Sequence, residues 1–220
     1  MEYMAYKDKI ILDLIKKYRQ KKDGKIIDVG AGNKPFLKVL PKDMEYLSID
    51  IDPKRKPTIL CDIEKKLPLK DKEYDFVICS EVLEHTLYPK EVVKELKRIV
   101  KDNGFIIISM PNEYNFYLRL KFLLGVQNNT EIPFREKLWK NHIHKARVKD
   151  LIYFYKENLD IQEIAYSWDS FSNRKFLQFL DRFIHNMFIS LSKKLFSRSV
   201  IVIGKKPYKK RVFKMLNGVR

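Results

Sequence analysis

Between residues 25 and 110 the chain repeats one arrangement: a short, nearly continuous apolar run, then a break of glycine, proline or charged residues. The runs are residues 25–29, 46–50, 58–61, 74–79 and 105–110. Runs of this kind, apolar at successive positions, read as strands buried on both faces, which is the pattern of a parallel sheet covered by helices. Helical periodicity lies around them. Residues 5–21 carry Ile10, Ile11, Leu14, Ile15 and Tyr18 at helical spacing. Pro89 opens a second helix reaching about residue 101, with Val92, Val93, Leu96, Ile99 and Val100 on its core face, and Asp102-Asn103-Gly104 ends it. The expected fold is α/β: a doubly wound, Rossmann-like sheet, mostly parallel, with helices on both faces. Only residues 51–57 separate the second run from the third, too few for the dozen or so that a covering crossover needs. A bare loop and a short edge strand are expected there.

Beyond Pro111 the pattern loosens. Residues 114–124 are apolar and aromatic with Arg119 and Lys121 among them, 148–157 read as a helix, 161–166 as a strand and 199–204 as a final strand. Between the last two, residues 172–197 read as a long amphipathic helix with Phe176, Leu180, Phe183, Met187, Leu191 and Leu195 on its apolar face. We read residues 1–220 as one domain, with a core over 25–110, insertions over 111–198, a final strand at 199–205 and a basic tail at 206–220. At 45% hydrophobic residues the chain can fill such a core and does not read as disordered. The formal charge of +17 is uneven: residues 1–110 hold 23 basic against 19 acidic residues, residues 111–220 hold 22 against 9. That excess predicts an anionic partner, whether nucleic acid, an anionic lipid surface or a phosphorylated substrate. The two cysteines, Cys61 and Cys79, have no metal-ligand or redox spacing, so no disulfide framework is expected and a reducing cytoplasm fits. Residues 1–22 lack the apolar run of a signal peptide, and no stretch approaches the roughly 20 uncharged apolar residues of a membrane span.

The chemistry-bearing segment is Asp28-Val29-Gly30-Ala31-Gly32-Asn33, directly after the first strand. Glycines there permit a tight strand-to-helix turn and a close approach of backbone to ligand. Asp50 closes the second strand roughly 20 residues later, where a carboxylate can accept from ribose hydroxyls. This pairing suits a nucleotide cofactor, but not a dinucleotide. Pro35 stands where the third glycine of that fingerprint belongs, and an acid two residues before the first glycine repels a pyrophosphate and suits a cation.

The series Asp28-x-Gly30-x-Gly32, Asp50, Cys61-Asp62-Ile63 and Ser80-Glu81-Val82-Leu83-Glu84-His85 resembles class I S-adenosylmethionine-dependent methyltransferases. The run Gly32-Asn33-Lys34-Pro35-Phe36 and the run Cys61-Asp62-Ile63-Glu64-Lys65-Lys66-Leu67-Pro68 are similar to the small methyltransferases found with cell-envelope sugar and lipid pathways. The resemblance implies a seven-stranded sheet whose final strand is antiparallel, and S-adenosylmethionine as cofactor. It places Gly30 and Gly32 under the methionine portion, Asp28 near its ammonium group, Asp50 on the ribose hydroxyls, Asp62 on the adenine amino group and Ile63 beside the ring. Ser80 and Glu81 line the meeting point with the acceptor. Lys34 departs from the family's usual third glycine.

A sulfonium methyl is already activated, so the protein's task is in-line positioning and, for a hydroxyl acceptor, a base. The candidates are Glu81, His85, His142 and His144, the last two in a loop where the family often places a histidine near the acceptor. His85 can instead close the turn after the fourth strand. No metal is expected, because His142-Ile143-His144 lacks a third ligand in sequence. No Asn/Asp-Pro-Pro-aromatic segment follows the fourth strand, and neither cysteine sits after a proline, which weakens base methylation of nucleic acid. The expected function is methyl transfer to an oxygen of a small-molecule, lipid, quinone or sugar-type acceptor, by a cytoplasmic protein that can sit peripherally on an anionic membrane through residues 114–124 and 172–197. The alternatives are an RNA methyltransferase using the basic half, and a non-catalytic cofactor-binding module that regulates or scaffolds. Oligomeric state is not legible.

Overall fold

The computed structural model describes residues 5–125, 142–168 and 191–207. Among these, the strands are β1 (Lys25–Val29), β2 (Glu45–Asp50), β3 (Ile59–Leu60), β4 (Tyr74–Ser80), β5 (Val100–Pro111), β6 (Asp160–Ser167) and β7 (Ser199–Lys205). The main helices are α1 (Tyr6–Tyr18), α2 (Pro89–Ile99), α3 (Phe116–Leu123) and α4 (Val148–Asn158). The strands form one seven-stranded sheet in the order β3-β2-β1-β4-β5-β7-β6. β1 to β5 pair in parallel, and β7 runs antiparallel between β5 and β6.

Because successive side chains of a strand point to opposite faces, each strand feeds two cores. Ile26, Phe76, Ile78, Phe105, Ile107, Ile201 and Ile203 meet Ile11, Leu14 and Ile15 of α1 on one face. Their neighbours Ile27, Val77, Cys79, Ile106, Ile108 and Val202 meet Val92, Val93 and Leu96 of α2 and Leu151 and Tyr155 of α4 on the other. The expected double covering is present, and α1 takes the place of a crossover helix on its face.

The structure departs from the sequence expectations at defined places. The turn after β1 does not lead into a helix: residues 31–44 are successive turns before β2. Pro35 and Pro41 interrupt any helical run, and Lys34 sits at φ +52, in the left-handed region. Phe36, 1% exposed, fills the core there instead. The short β2–β3 link holds only the 3-10 turn Pro53–Arg55, as its length requires. Residues 102–104 do not form a helix end. α2 stops at Ile99, Val100 already pairs with Tyr74, and the strand passes an irregularity before Phe105 joins Phe76. Most of the expected helix at 172–197 lies outside the described residues, as do 126–141 and the basic tail from 208. Its C-terminal part is not continuous, since the Ser192 hydroxyl accepts from Leu195 N and starts a separate turn, Lys193–Phe196. No helix of the described residues is long and apolar enough to cross a membrane.

Candidate active site

The site lies at the carboxyl ends of the parallel strands. β1 ends in Asp28, only 2% exposed, and Val29; the chain then turns at Gly30 with φ +74. A Cβ on Gly30 would stand 2.4 Å from Val82 Cγ2, so the position tolerates no side chain on two counts. Gly30 N and Ala31 N both donate to the Ile49 carbonyl, at 2.8 and 3.0 Å, and Gly32 N donates to Asp50 Oδ2 at 2.8 Å. Asp50 Oδ1 accepts from Asp52 N at 2.8 Å. Asp50 is therefore the clamp that joins the glycine loop to the end of β2, a role not foreseen from its position in sequence. Lys34 Nζ donates to the Lys56 carbonyl at 2.6 Å, and the Arg55 guanidinium donates to Asn33, so the two loops are tied a second time.

A cavity of about 780 Å³ opens beside this loop, lined by Lys7 and Asp8 of α1, Asp28, residues 30–39, Ser80 and Glu81. Its size suits a cofactor-sized ligand. Asp50, Asp62 and Ile63 are not among its lining residues. Asp62 Oδ1 accepts from Glu64 N at 3.0 Å, and Ile63 packs partly into the core.

Asp28 accepts from the Tyr46 hydroxyl at 2.8 Å. Burial nevertheless pushes its carboxyl up to about 7, with the Tyr46 bond opposing and the Asp8 charge adding to the rise. A buried carboxyl held this high is short of positive charge, and an ammonium or sulfonium group beside it supplies what is missing. With the open glycine loop, the cavity fits a cationic nucleoside cofactor.

The opposite wall is a hydroxyl chain. Lys7 Nζ donates to Ser80 Oγ at 3.1 Å, Ser80 Oγ and Ser109 Oγ share a hydrogen bond of 2.9 Å, and Ser109 Oγ donates to Glu81 Oε1 at 3.0 Å. Glu81 holds φ +56, a left-handed backbone uncommon for a residue with a side chain, and such strain gathers at functional sites. Burial raises its carboxyl, opposed by the Lys7 charge and by bonds to Ser109 and Ser199.

Beyond Glu81 the histidines separate into two roles. The His85 and His142 rings meet edge to face with centroids 4.7 Å apart, and His142 Nδ1 is bonded to the Glu113 carboxylate. His144 is turned away, its Nε2 donating to the Thr86 carbonyl at 2.9 Å. Ile143 N and His144 N donate to the Glu84 carbonyl, at 2.7 and 3.1 Å, which fixes the histidine loop against the turn after β4. Glu84 is 0% exposed, and neither of its carboxylate oxygens has a hydrogen-bond partner among the described residues. Burial and then the Glu81 charge push its carboxyl well up. The structure thus brings Asp28, Gly30, Gly32, Ser80 and Glu81 together around one cavity and sets His85 and His142 next to each other. Lys7, Asp8, Tyr46, Ser109 and Glu113 carried no readable signal, and Glu84 stood within a motif without a role of its own.

A parallel sheet with an antiparallel seventh strand, a glycine loop and a cofactor-sized cavity with a buried aspartate at its carboxyl edge defines a class I methyltransferase domain. The model for the family described as "Methyltransferase domain" matches residues 3–176, and the chain belongs to that family. S-adenosylmethionine is the cofactor of the class. An uncharacterized protein of Methanocaldococcus jannaschii is 34% identical over 120 residues, 50% of this chain and 52% of that protein, so the match spans about half the length of the relative. Among solved structures, a SAM-dependent methyltransferase from Archaeoglobus fulgidus shares the fold with a TM-score of 0.53 and 19% identity, over 90% of this chain and 94% of that one. One from Aquifex aeolicus does so at 0.53 and 13%, over 89% and 88%.

Proposed function

We propose that the protein transfers a methyl group from S-adenosylmethionine to an oxygen of an amphiphilic acceptor of lipid, quinone or sugar type, at an anionic membrane surface. S-adenosylmethionine supplies a methyl carbon already activated on a sulfonium sulfur. The chain's own work is then to hold, orient and deprotonate. Asp28 and the loop at Gly30 and Gly32 hold the cationic cofactor. The Lys7–Ser80–Ser109 chain fixes Glu81 at the cavity wall, where its raised carboxyl is suited to take a proton from an acceptor hydroxyl.

The observation that carries the choice of acceptor is α3. It begins three residues after Glu113, the partner of His142, and none of its side chains is buried. Phe122 is 69% and Leu123 81% exposed, with Arg119 and Lys121 between aromatic and aliphatic neighbours. An apolar surface studded with cations beside a methyl-transfer site favours a molecule with a hydrophobic tail and an anionic setting. A malonyl-[acyl-carrier protein] O-methyltransferase of a Marinomonas species, 26% identical over 93 residues and matched over 30% of its own length, carries an oxygen acceptor in its name. The test incubates the protein with methyl-labelled cofactor and either a total lipid extract or total RNA. Label in the organic phase is the expected result. Label in RNA alone favours the nucleic-acid reading, and cofactor binding with no label in any fraction favours a regulatory module.

A further inference from the structure

We propose that Glu84, His85 and His142 form a binding site for a divalent transition-metal ion next to Glu81, with Glu113 orienting the His142 ring. One ligand atom from each of the three residues lies within 4.8 Å of the other two. Metal–ligand bonds of about 2.0–2.2 Å place the ligands of one ion within about 4.4 Å of each other, so small side-chain shifts close the site. Two imidazoles and one carboxylate with coordination positions left over suit Zn²⁺, Mn²⁺ or Fe²⁺.

Two further observations point the same way. The Glu84 carboxyl group is fully buried with both oxygens unpartnered among the described residues, and the buried Tyr155 hydroxyl is also unpartnered there. Buried polar groups of this kind are rare and call for an explanation, of which a bound ion is one. His142 Nδ1 is engaged by Glu113, so coordination is assigned to Nε2. A carboxylate on the far nitrogen is the arrangement that fixes the tautomer and ring plane of a metal-bound histidine. The cluster does not need the ion to assemble, because the backbone bonds from Ile143 and His144 to the Glu84 carbonyl already hold the two segments together.

The sequence expectation of no metal considered His142 with His144. In the structure His144 is committed to the Thr86 carbonyl, and the missing ligands come from Glu84 and His85. The remaining coordination positions accept an oxygen of the acceptor: a hydroxyl, a phenol or a carboxylate. That consequence rests on the methyl-transfer reading; the ion site itself does not.

The experiment strips the protein with a chelator, reloads it with Mn²⁺ or Zn²⁺, and measures bound metal by mass spectrometry and affinity by calorimetry. One ion per chain is expected, with binding weakened roughly tenfold or more in Glu84→Gln and in His142→Asn. S-adenosylmethionine binding measured on the same samples reports folding and stands apart from metal binding. Should Glu84→Gln fail to fold, His142→Asn and His85→Asn decide. Metal-free wild-type protein after reloading, or variants that bind as tightly as wild type, would overturn the site. Retained metal without cofactor binding would instead sink the methyl-transfer reading.

Discussion

Asp28→Asn isolates the electrostatic cost of the cofactor cavity. In the folded protein burial holds the Asp28 carboxyl at about 7, against 3.8 for an ordinary aspartate. Between these values the folded chain keeps a proton that the unfolded chain has released, so the folded state binds more protons and stability falls as pH rises. Above about 7 both states are ionised, and the penalty is complete. A shift of about three units at about 1.4 kcal/mol each amounts to about 4 kcal/mol. Of this, about 2 kcal/mol is incurred between pH 5 and 7 and about 3 between pH 5 and 8. Asparagine does not titrate, yet its amide oxygen can still accept from the Tyr46 hydroxyl. Urea unfolding at pH 5, 6, 7 and 8 should show wild type losing about 3 kcal/mol relative to Asp28→Asn across the range. S-adenosylmethionine reverses the balance, since a cation beside Asp28 favours the carboxylate. Its binding to wild type should tighten from pH 5 to 7 with release of a proton, which calorimetry in two buffers of different ionisation enthalpy detects. Parallel stability curves for the two proteins, together with no proton release, would refute the assignment of Asp28 as the buried counter-charge.

Gly30→Ala should weaken cofactor binding tenfold or more and cost about 1–2 kcal/mol in stability from the left-handed backbone alone. Adding Val82→Ala removes the 2.4 Å contact and should recover only the steric share, as read by calorimetry and melting. Asn112→Leu should destabilise the fold by about 2–4 kcal/mol in denaturant, because the buried amide donates to the Lys194 and Ser197 carbonyls, at 3.0 Å each. Arg98→Ala should cost about 1–3 kcal/mol by freeing the Leu67 and Leu69 carbonyls and the Glu95 and Asp71 carboxylates from one guanidinium. It should leave cofactor affinity unchanged, since none of these groups lines the cavity.

The five parallel strands are legible in sequence because burial on both faces leaves Ile26-Ile27 or Ile106-Ile107-Ile108 no polar alternate position. The glycine loop is legible because Gly30 answers a local demand, a positive φ against Val82. The segment after the loop is not legible, since a left-handed Lys34 and a buried Phe36 are set by contacts with other strands rather than by neighbours in the chain. The hydroxyl wall was hidden for the same reason. Lys7 reaches Ser80 across 73 positions and Ser109 reaches Glu81 across 28, and neither distance leaves a periodic trace. Glu84 shows the limit most plainly. Its place after β4 is visible in the Ser80–His85 motif, while its orphaned carboxylate becomes visible only when Glu113 and His142 are folded beside it.

The charge of the chain acts on two length scales. The cavity sets Asp8, Asp28 and Glu81 beside Lys7, Lys34 and Lys38, so its wall is mixed in charge within a protein of net charge +17. At physiological salt the screening length is about 8 Å, so the buried Asp28 acts on a cationic ligand in the cavity more strongly than exposed charges beyond that distance. The two scales meet at the end of β5. Asn112 pins the segment 194–198 to the sheet, and the next residue, Glu113, orients His142. One stretch of backbone after β5 thus ties the segment before β7 and the histidine loop to the same strand end. On the function proposed above, α3 starts three residues after Glu113, so an acceptor resting on that helix would lie next to the strand end that orients the site's histidine.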